Sequence, residues 1–218
     1  MVLNMACKND ILYLETRRVV YNFILNHPGL HLRELERKNY IPFSTLKYHV
    51  DYLIKNKLVE VKKINGFSRH YATKKVGKMD KKLLNAFRQE SLNRILVVFL
   101  YRVTKEYFYK KDFKKLPEDE KWFNYNYFCI KKHRTTILFH LNKLVEMGIV
   151  EKGNIKGKTC YKLVDHSMVW DFLIRYQDAL SNKRVNNLIS CISGSVIPNL
   201  PERVMKRVYD IFPHPYHI

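Results

Sequence analysis

The sequence predicts a fold that is mainly α with small β-wings (α+β), built from two similar modules and a C-terminal helical extension. Three observations carry that expectation. The segment STLKYHVDYLIKNKLVEV (Ser44–Val61) is matched 91 positions later by TTILFHLNKLVEMGIVEK (Thr135–Lys152), with His49 and His140 in register. The apolar positions repeat with it, Leu46 with Ile137, Val50 with Leu141, Leu53 with Leu144 and Leu58 with Ile149. Each copy is then followed by a Gly–basic–Tyr stretch, INGFSRHY in one and IKGKTCY in the other. Finally, the 218 residues carry 40 Lys and Arg against 20 Asp and Glu, a formal net charge of +20.

A helix, a short break, an apolar strand start and a Gly-tipped basic hairpin form the second half of a winged helix-turn-helix. The expectation is therefore two tandem winged helix-turn-helix domains plus C-terminal helices. The first domain spans residues 1–75, the linker helix and second domain residues 76–165, and the extension residues 166–218.

In the first module, Glu15–Asn26 places Val19, Val20, Phe23 and Ile24 at helical spacing, and His27–Gly29 ends the helix. Leu30–Lys38 reads as a short second helix with Leu32 and Leu35 inward. Pro42 then forces a turn, and Ser44 or Thr45 is expected to cap the following helix. On that helix Leu46, Val50, Leu53 and Ile54 share a core face, while Ser44, Lys47, Tyr48, Asp51, Tyr52 and Lys55 gather opposite. His49 sits at the edge of the buried face and reads as a packing residue. After Lys57 two strands surround Gly66, with Val59, Val61 and Tyr71 inward and Lys62, Lys63 and Arg69 on the hairpin.

Met79–Val103 has the pattern of one long linking helix. Its RILVVFL (Arg94–Leu100) matches RVVYNFI (Arg18–Ile24) at an offset of 76, so the second module holds about 15 extra residues before its repeated helix. The insertion lies within Thr104–Phe128, which contains nine aromatic residues. Interleaved aromatic and basic groups can stack on bases. The absence of a spaced pattern favours folding against the module itself. In the tail, Val169, Phe172, Leu173, Tyr176 and Leu180 form a one-face helix, Val185–Ile192 suggests another, and Pro201 opens a third. Such helices serve dimerisation or pack back on the linker helix.

The charge excess belongs to the modules. Residues 1–75 carry 14 basic and 6 acidic groups, residues 76–165 carry 20 and 10, and residues 166–218 carry only 6 and 4. A field of this sign attracts a polyanion and binds it by displacing counterions. Candidate DNA-binding residues in the first module are Ser44, Thr45, Lys47 and Tyr48 at the start of the repeated helix, with Lys62, Lys63 and Arg69 on the wing. In the second they are Lys131, His133, Arg134 and Thr135 at the helix start, with Lys156 and Lys158 on the wing. Where the first module has Lys47 and Tyr48, the second has Leu138 and Phe139. That apolar pair suits thymine methyls or, preferably, a protein partner.

Other classes lack support in the sequence. The four cysteines (Cys7, Cys129, Cys160, Cys191) form no CxxC pair, so reduced thiols and no metal site are expected. No cofactor motif, Gly-rich phosphate loop, HExxH or nucleophile motif occurs, so no enzyme is expected. The longest apolar run, ILVVFLY (Ile95–Tyr101), is far short of the roughly 20 residues that span a bilayer. A cytoplasmic protein with no membrane contact is the expectation.

With these segments in hand, the chain resembles archaeal winged helix-turn-helix transcriptional regulators related to the MarR and ArsR families, over about Thr16–Thr73 and Leu92–Val164. The tandem form is similar to a two-module architecture of archaeal regulators, including those of the archaellum operon. The resemblance implies a sequence-specific regulator of double-stranded DNA, and a homodimer through the C-terminal helices or the second module. The metal-sensing cysteine pair of many ArsR proteins is absent, so that function is not implied. The competing class is a tandem winged-helix scaffold that binds other proteins in chromosome condensation or the transcription machinery. It needs little positive charge.

Overall fold

The computed structural model describes residues 14–64, 66–110, 122–124 and 133–180. Lys131, most of the aromatic-rich insertion, and the tail helices expected beyond residue 180 lie outside them. The chain divides into two compact units, Met1–Asn85 and Ala86–Ile218.

In the first unit, α1 (Glu15–Asn26), α2 (Leu32–Asn39) and α3 (Phe43–Lys55) precede an antiparallel hairpin of β1 (Val59–Ile64) and β2 (Phe67–Ala72). Leu30 adds a one-residue bridge to His70 on β2. Val20 and Ile24 of α1, Leu35 of α2, and Leu46, Val50 and Leu53 of α3 close one core with Leu30, Leu58 and Val59. Each fully buried aliphatic side chain contributes about 1.5–3 kcal/mol, so this shared stripe fixes how every helix is rotated.

Two inward assignments are corrected. Val19 and Val61 are exposed. Arg17 takes the buried place on α1, its guanidinium 3.7 Å from the centre of the Tyr52 ring. Cation and ring cover each other, which removes Tyr52 from the free polar face. Val61 shares the face of Val59 but lies where the two-stranded wing projects beyond the core, while Tyr71, paired with Glu60, is buried on the opposite face.

The long linking helix is also corrected. It is two helices, α4 (Lys78–Arg88) and α5 (Glu90–Lys110), separated at Gln89. Buried Asn93 donates its side-chain amide to the Phe87 carbonyl at 2.9 Å, satisfying a carbonyl at the break. Apolar periodicity continues across the break, so the pattern alone reads as one helix. On the first unit's side, α4 is tied to the wing by Lys81, whose ammonium reaches Glu60 at 2.6 Å and lies 5.3 Å over Tyr71.

The second unit continues from α5 through β3 (Phe123–Asn124), α6 (Arg134–Glu146), β4 (Val150–Ile155), β5 (Lys158–Leu163) and α7 (His166–Leu180). Its sheet has the order β3-β5-β4. Leu92, Ile95, Leu96, Phe99 and Leu100 of α5 are buried, as are Ile137, Leu141 and Leu144 of α6. Within the insertion, Phe123 is buried edge-on to Phe99 at 6.0 Å. Trp122 lies over Gly153 of β4 so closely that a Cβ there would stand 2.6 Å from the indole. These two insertion aromatics are therefore packing residues. Helix α7 buries Val169, Phe172 and Leu173 as expected, and also Trp170 and Ile174, with Phe172 stacked on Phe87 at 5.6 Å. It kinks at Tyr176.

From residues 43–72 to residues 134–163 the two units match element for element at the offset of 91. Helices α3 and α6 each have 13 residues, and the hairpin registers coincide, Val59↔Ala72 with Val150↔Leu163 and Ile64↔Phe67 with Ile155↔Lys158. The chain leaves both helices through a left-handed residue, Lys57 (φ 57°) in the first unit and Gly148 (φ 70°) in the second. Only glycine adopts this region without cost. Lys57→Gly is therefore expected to raise stability by up to about 1 kcal/mol and Gly148→Ala to lower it by about the same amount. Thermal denaturation checks both, and an unshifted midpoint for Gly148→Ala would remove the strain argument.

Candidate nucleic-acid interface

Helix α3 is seated by Leu46, Val50 and Leu53, none of which is accessible, and by buried His49. The opposite face then has no choice but to point outward. Ser44, Thr45, Lys47 and Tyr48 are all exposed along its first two turns. The expected capping role is corrected. The N-cap is Pro42 in an extended conformation with no side-chain hydrogen bond, and Ser44 and Thr45 lie inside the first turn. Proline sets the N-cap two residues before Ser44 and three before Thr45, and Phe43 begins the helix under the Arg33 guanidinium at 4.0 Å. The first turn thus shows amides and two hydroxyls to the outside, which suits phosphate oxygens. Lys47 rests against Asp51 at 3.2 Å, both side chains more than half exposed. Such an i,i+4 pair is worth about 0.3–0.5 kcal/mol and does not hold the ammonium against a stronger acceptor. At the turn before α3, Tyr40 takes a left-handed backbone (φ 57°) and is almost wholly exposed. No sequence signal marks it.

On the wing, Lys62 and Lys63 are exposed along β1. Arg69 is different. Its guanidinium donates to Glu34 at 2.8 Å and to the Gly29 carbonyl at 3.2 Å, with the side chain only 15% accessible. Glu34 is also half of a capping box, accepting the His31 amide at 3.0 Å while the His31 ring accepts the Glu34 amide. Phe67 stacks on that same His31 ring at 5.4 Å. Arg69 is thus an anchor between wing and α2, whereas Lys62 and Lys63 are exposed. The His31–Glu34 spacing is the signal a sequence reading could have used.

The second unit arranges its candidates around α6. His133 is the N-cap, its ring 3.2 Å from the Thr135 hydroxyl, and His133, Arg134 and Thr135 are exposed. Lys156 and Gly157 form the hairpin turn, both with positive φ, as a two-residue type I′ connection requires. Arg134 and Lys158 meet in a cleft of about 440 Å³, lined also by Leu138, Asn142 and Lys152. Asn124, Thr159 and Tyr161 complete it and were not singled out by sequence. Phe139 is 64% exposed, and Tyr48 at the matching place in α3 is 61% exposed. Each ring meets the following histidine edge-on, Tyr48 with His49 at 5.2 Å and Phe139 with His140 at 5.3 Å.

Among the described residues no three His, Cys, Asp or Glu side chains are grouped to hold a metal, and Cys160 is free and buried. No described helix is long and apolar enough to cross a membrane.

Two buried imidazoles couple stability to pH. Burial pushes His70 below the ordinary histidine range, against the opposing effect of its 3.0 Å hydrogen bond to the Leu30 carbonyl. Burial also lowers His49, with the Arg17 charge adding to it. A folded-state pKa below the unfolded one means that the native protein binds fewer protons. Their contribution is complete above the unfolded value and lost as pH falls through the folded one. Urea midpoints should drop as pH falls below the ordinary histidine value of about 6.5, and His49→Gln combined with His70→Gln should flatten that dependence. An undiminished slope in the double variant would assign it to other groups.

One stretch of 69 residues is 39% identical to an uncharacterised HTH-type transcriptional regulator of Methanocaldococcus jannaschii. The match covers 32% of this chain and 18% of that protein, so the similarity spans under one fifth of the relative's length. No protein-family model matches the chain, and no solved structure matches it.

Proposed function

We propose that the chain is a sequence-specific, double-stranded DNA-binding transcriptional regulator made of two tandem winged helix-turn-helix modules. The observation that carries this reading is α3. A helix locked by inaccessible leucine and valine turns Ser44, Thr45, Lys47 and Tyr48 outward, beside a wing bearing Lys62 and Lys63. In this geometry the helix enters the major groove and the wing lies on the backbone. The charge excess of residues 1–165 and the partial similarity to an HTH-type transcriptional regulator support the same reading.

Lys47 and Tyr48 read base edges, and Ser44, Thr45, Lys62 and Lys63 hold phosphates. In the second module His133, Arg134, Thr135, Lys156 and Lys158 take the backbone. Duplex affinity should fall linearly on a log–log plot against salt, with a slope of about −0.9 per phosphate held and roughly 6–10 phosphates in all. Lys47→Ala with Tyr48→Ala should relax sequence preference in a binding-site selection, whereas Lys62→Ala with Lys63→Ala should weaken every duplex alike. Fluorescence anisotropy measures both. Salt-independent binding, or none at low salt, would overturn the DNA reading in favour of a protein scaffold.

The exposed Phe139 supports a protein surface on the second module. Leaving such a ring in water costs about 25 cal/mol for each Å² exposed, which covering by a second copy of the chain would remove. Phe139→Lys is expected to dissociate a dimer in sedimentation measurements. An unchanged oligomer with altered sequence preference would instead place α6 on DNA bases.

A further inference from the structure

The two wings are fastened to their units by different means. In the second unit β3 lies along β5 as a third strand, with Phe123 paired to Tyr161 and Asn124 to Cys160. In the first, the matching contact shrinks to a single bridge between Leu30 and His70. There the Gly29 amide donates to the His70 carbonyl at 2.7 Å, and the His70 amide donates to the Leu30 carbonyl at 3.1 Å. At the offset of 91, His70 matches Tyr161 and Arg69 matches Cys160. The rung absent from the first unit is therefore the one beside Arg69. Antiparallel register assigns His31 as its partner, but His31 is already the N-cap of α2.

The Arg69 side chain stands in for that rung. Its guanidinium joins the Gly29 carbonyl, before α2, to the Glu34 carboxylate in the first turn of α2. Glu34 is fixed in turn by the His31 amide, and Phe67 of the wing stacks on the His31 ring. Directly across the hairpin from Arg69 is Lys62, and Lys63 faces Ser68. A two-stranded hairpin is marginal by itself, so a charge-assisted bond at this point decides how firmly the two lysines are placed. We propose that the Arg69–Glu34 pair is a positioning latch. It holds the wing so that Lys62 and Lys63 meet the duplex already in place, while Arg69 itself touches no phosphate. Fixing a segment in its bound arrangement lowers the ordering cost of association. The assignment rests on the DNA reading and deepens it.

The test is fluorescence anisotropy of the full chain with a duplex obtained by binding-site selection, well below each variant's thermal midpoint. Glu34→Gln keeps the cap, because glutamine serves at the same place in a capping box, and removes the charge that holds Arg69. Its affinity should fall by at least about threefold, although the variant carries more net positive charge. A phosphate-holding Arg69 gives the opposite sign, since its release would tighten binding and steepen the salt slope. Arg69→Met should cost a similar factor in wild type and nothing further in Glu34→Gln. Lys62→Ala with Lys63→Ala should cost less in either latch variant than in wild type, a coupling that lost stability alone does not produce. Unchanged or tighter binding by Glu34→Gln, or equal weakening by Arg69→Met in both backgrounds, overturns the latch and leaves the DNA reading standing. A wild type that binds no duplex overturns that reading and the wing's role with it. Backbone amide relaxation in the DNA-free chain separates the two failures. Lys62 and Lys63 should gain mobility in Glu34→Gln, and unchanged order there overturns the latch whatever the duplex does.

Discussion

The orientation of the first unit's exposed polar face depends on the burial of one stripe, Leu46, Val50 and Leu53 of α3. Three aliphatic side chains in a helix of 13 residues leave no freedom of rotation. A turn of α3 about its axis by even one residue would place a leucine in water and a lysine or tyrosine in the core. Burial of this size far exceeds any surface ion pair on the same helix. The charged face is therefore a consequence of the apolar one, and it stays aimed outward whether or not a partner is present. The same holds for α6 through Ile137, Leu141 and Leu144.

That dependence explains what could be read from the sequence. Helical and strand periodicities follow from burial, so α3, α6 and both hairpins were legible, and the internal repeat carried their boundaries to within a residue or two. The packing roles of His49 and Tyr71 followed from the same pattern. Features decided by polar partners were not legible. Arg69 looks like any basic wing residue until Glu34, 35 positions earlier, is seen to hold it. The break at Gln89 leaves the apolar pattern intact and depends on a single buried amide, Asn93. Val61 alternates correctly with Val59, yet the wing extends past the core that would have covered it. Ser44 and Thr45 fit a capping signature that Pro42 pre-empts.

The two units also show how one backbone plan supports different chemistry. Their helix lengths, hairpin registers and left-handed exits agree, while the side chains between helix and wing diverge. In the first, stacked His31 and Phe67, together with the self-neutralised Lys47–Asp51 pair, fill or quiet that space. In the second, Arg134, Lys152 and Lys158 line one cleft with Asn142. Side chains at matching positions thus differ in charge while the backbone plan stays the same. Function on such a scaffold is set by the side chains and not by the fold.

The Trp122 indole against Gly153 carries a consequence for modularity. The first unit has Lys62 where the second has Gly153, and that lysine stands in open solvent. The β4–β5 hairpin could be grafted onto the first unit without steric objection at this position. The reverse graft would drive a side chain into an indole that a Cβ alone already approaches to 2.6 Å. Interchange between the two halves is thus one-way. Trp122 thus holds the second wing to a glycine at this position, a constraint that the first wing does not carry.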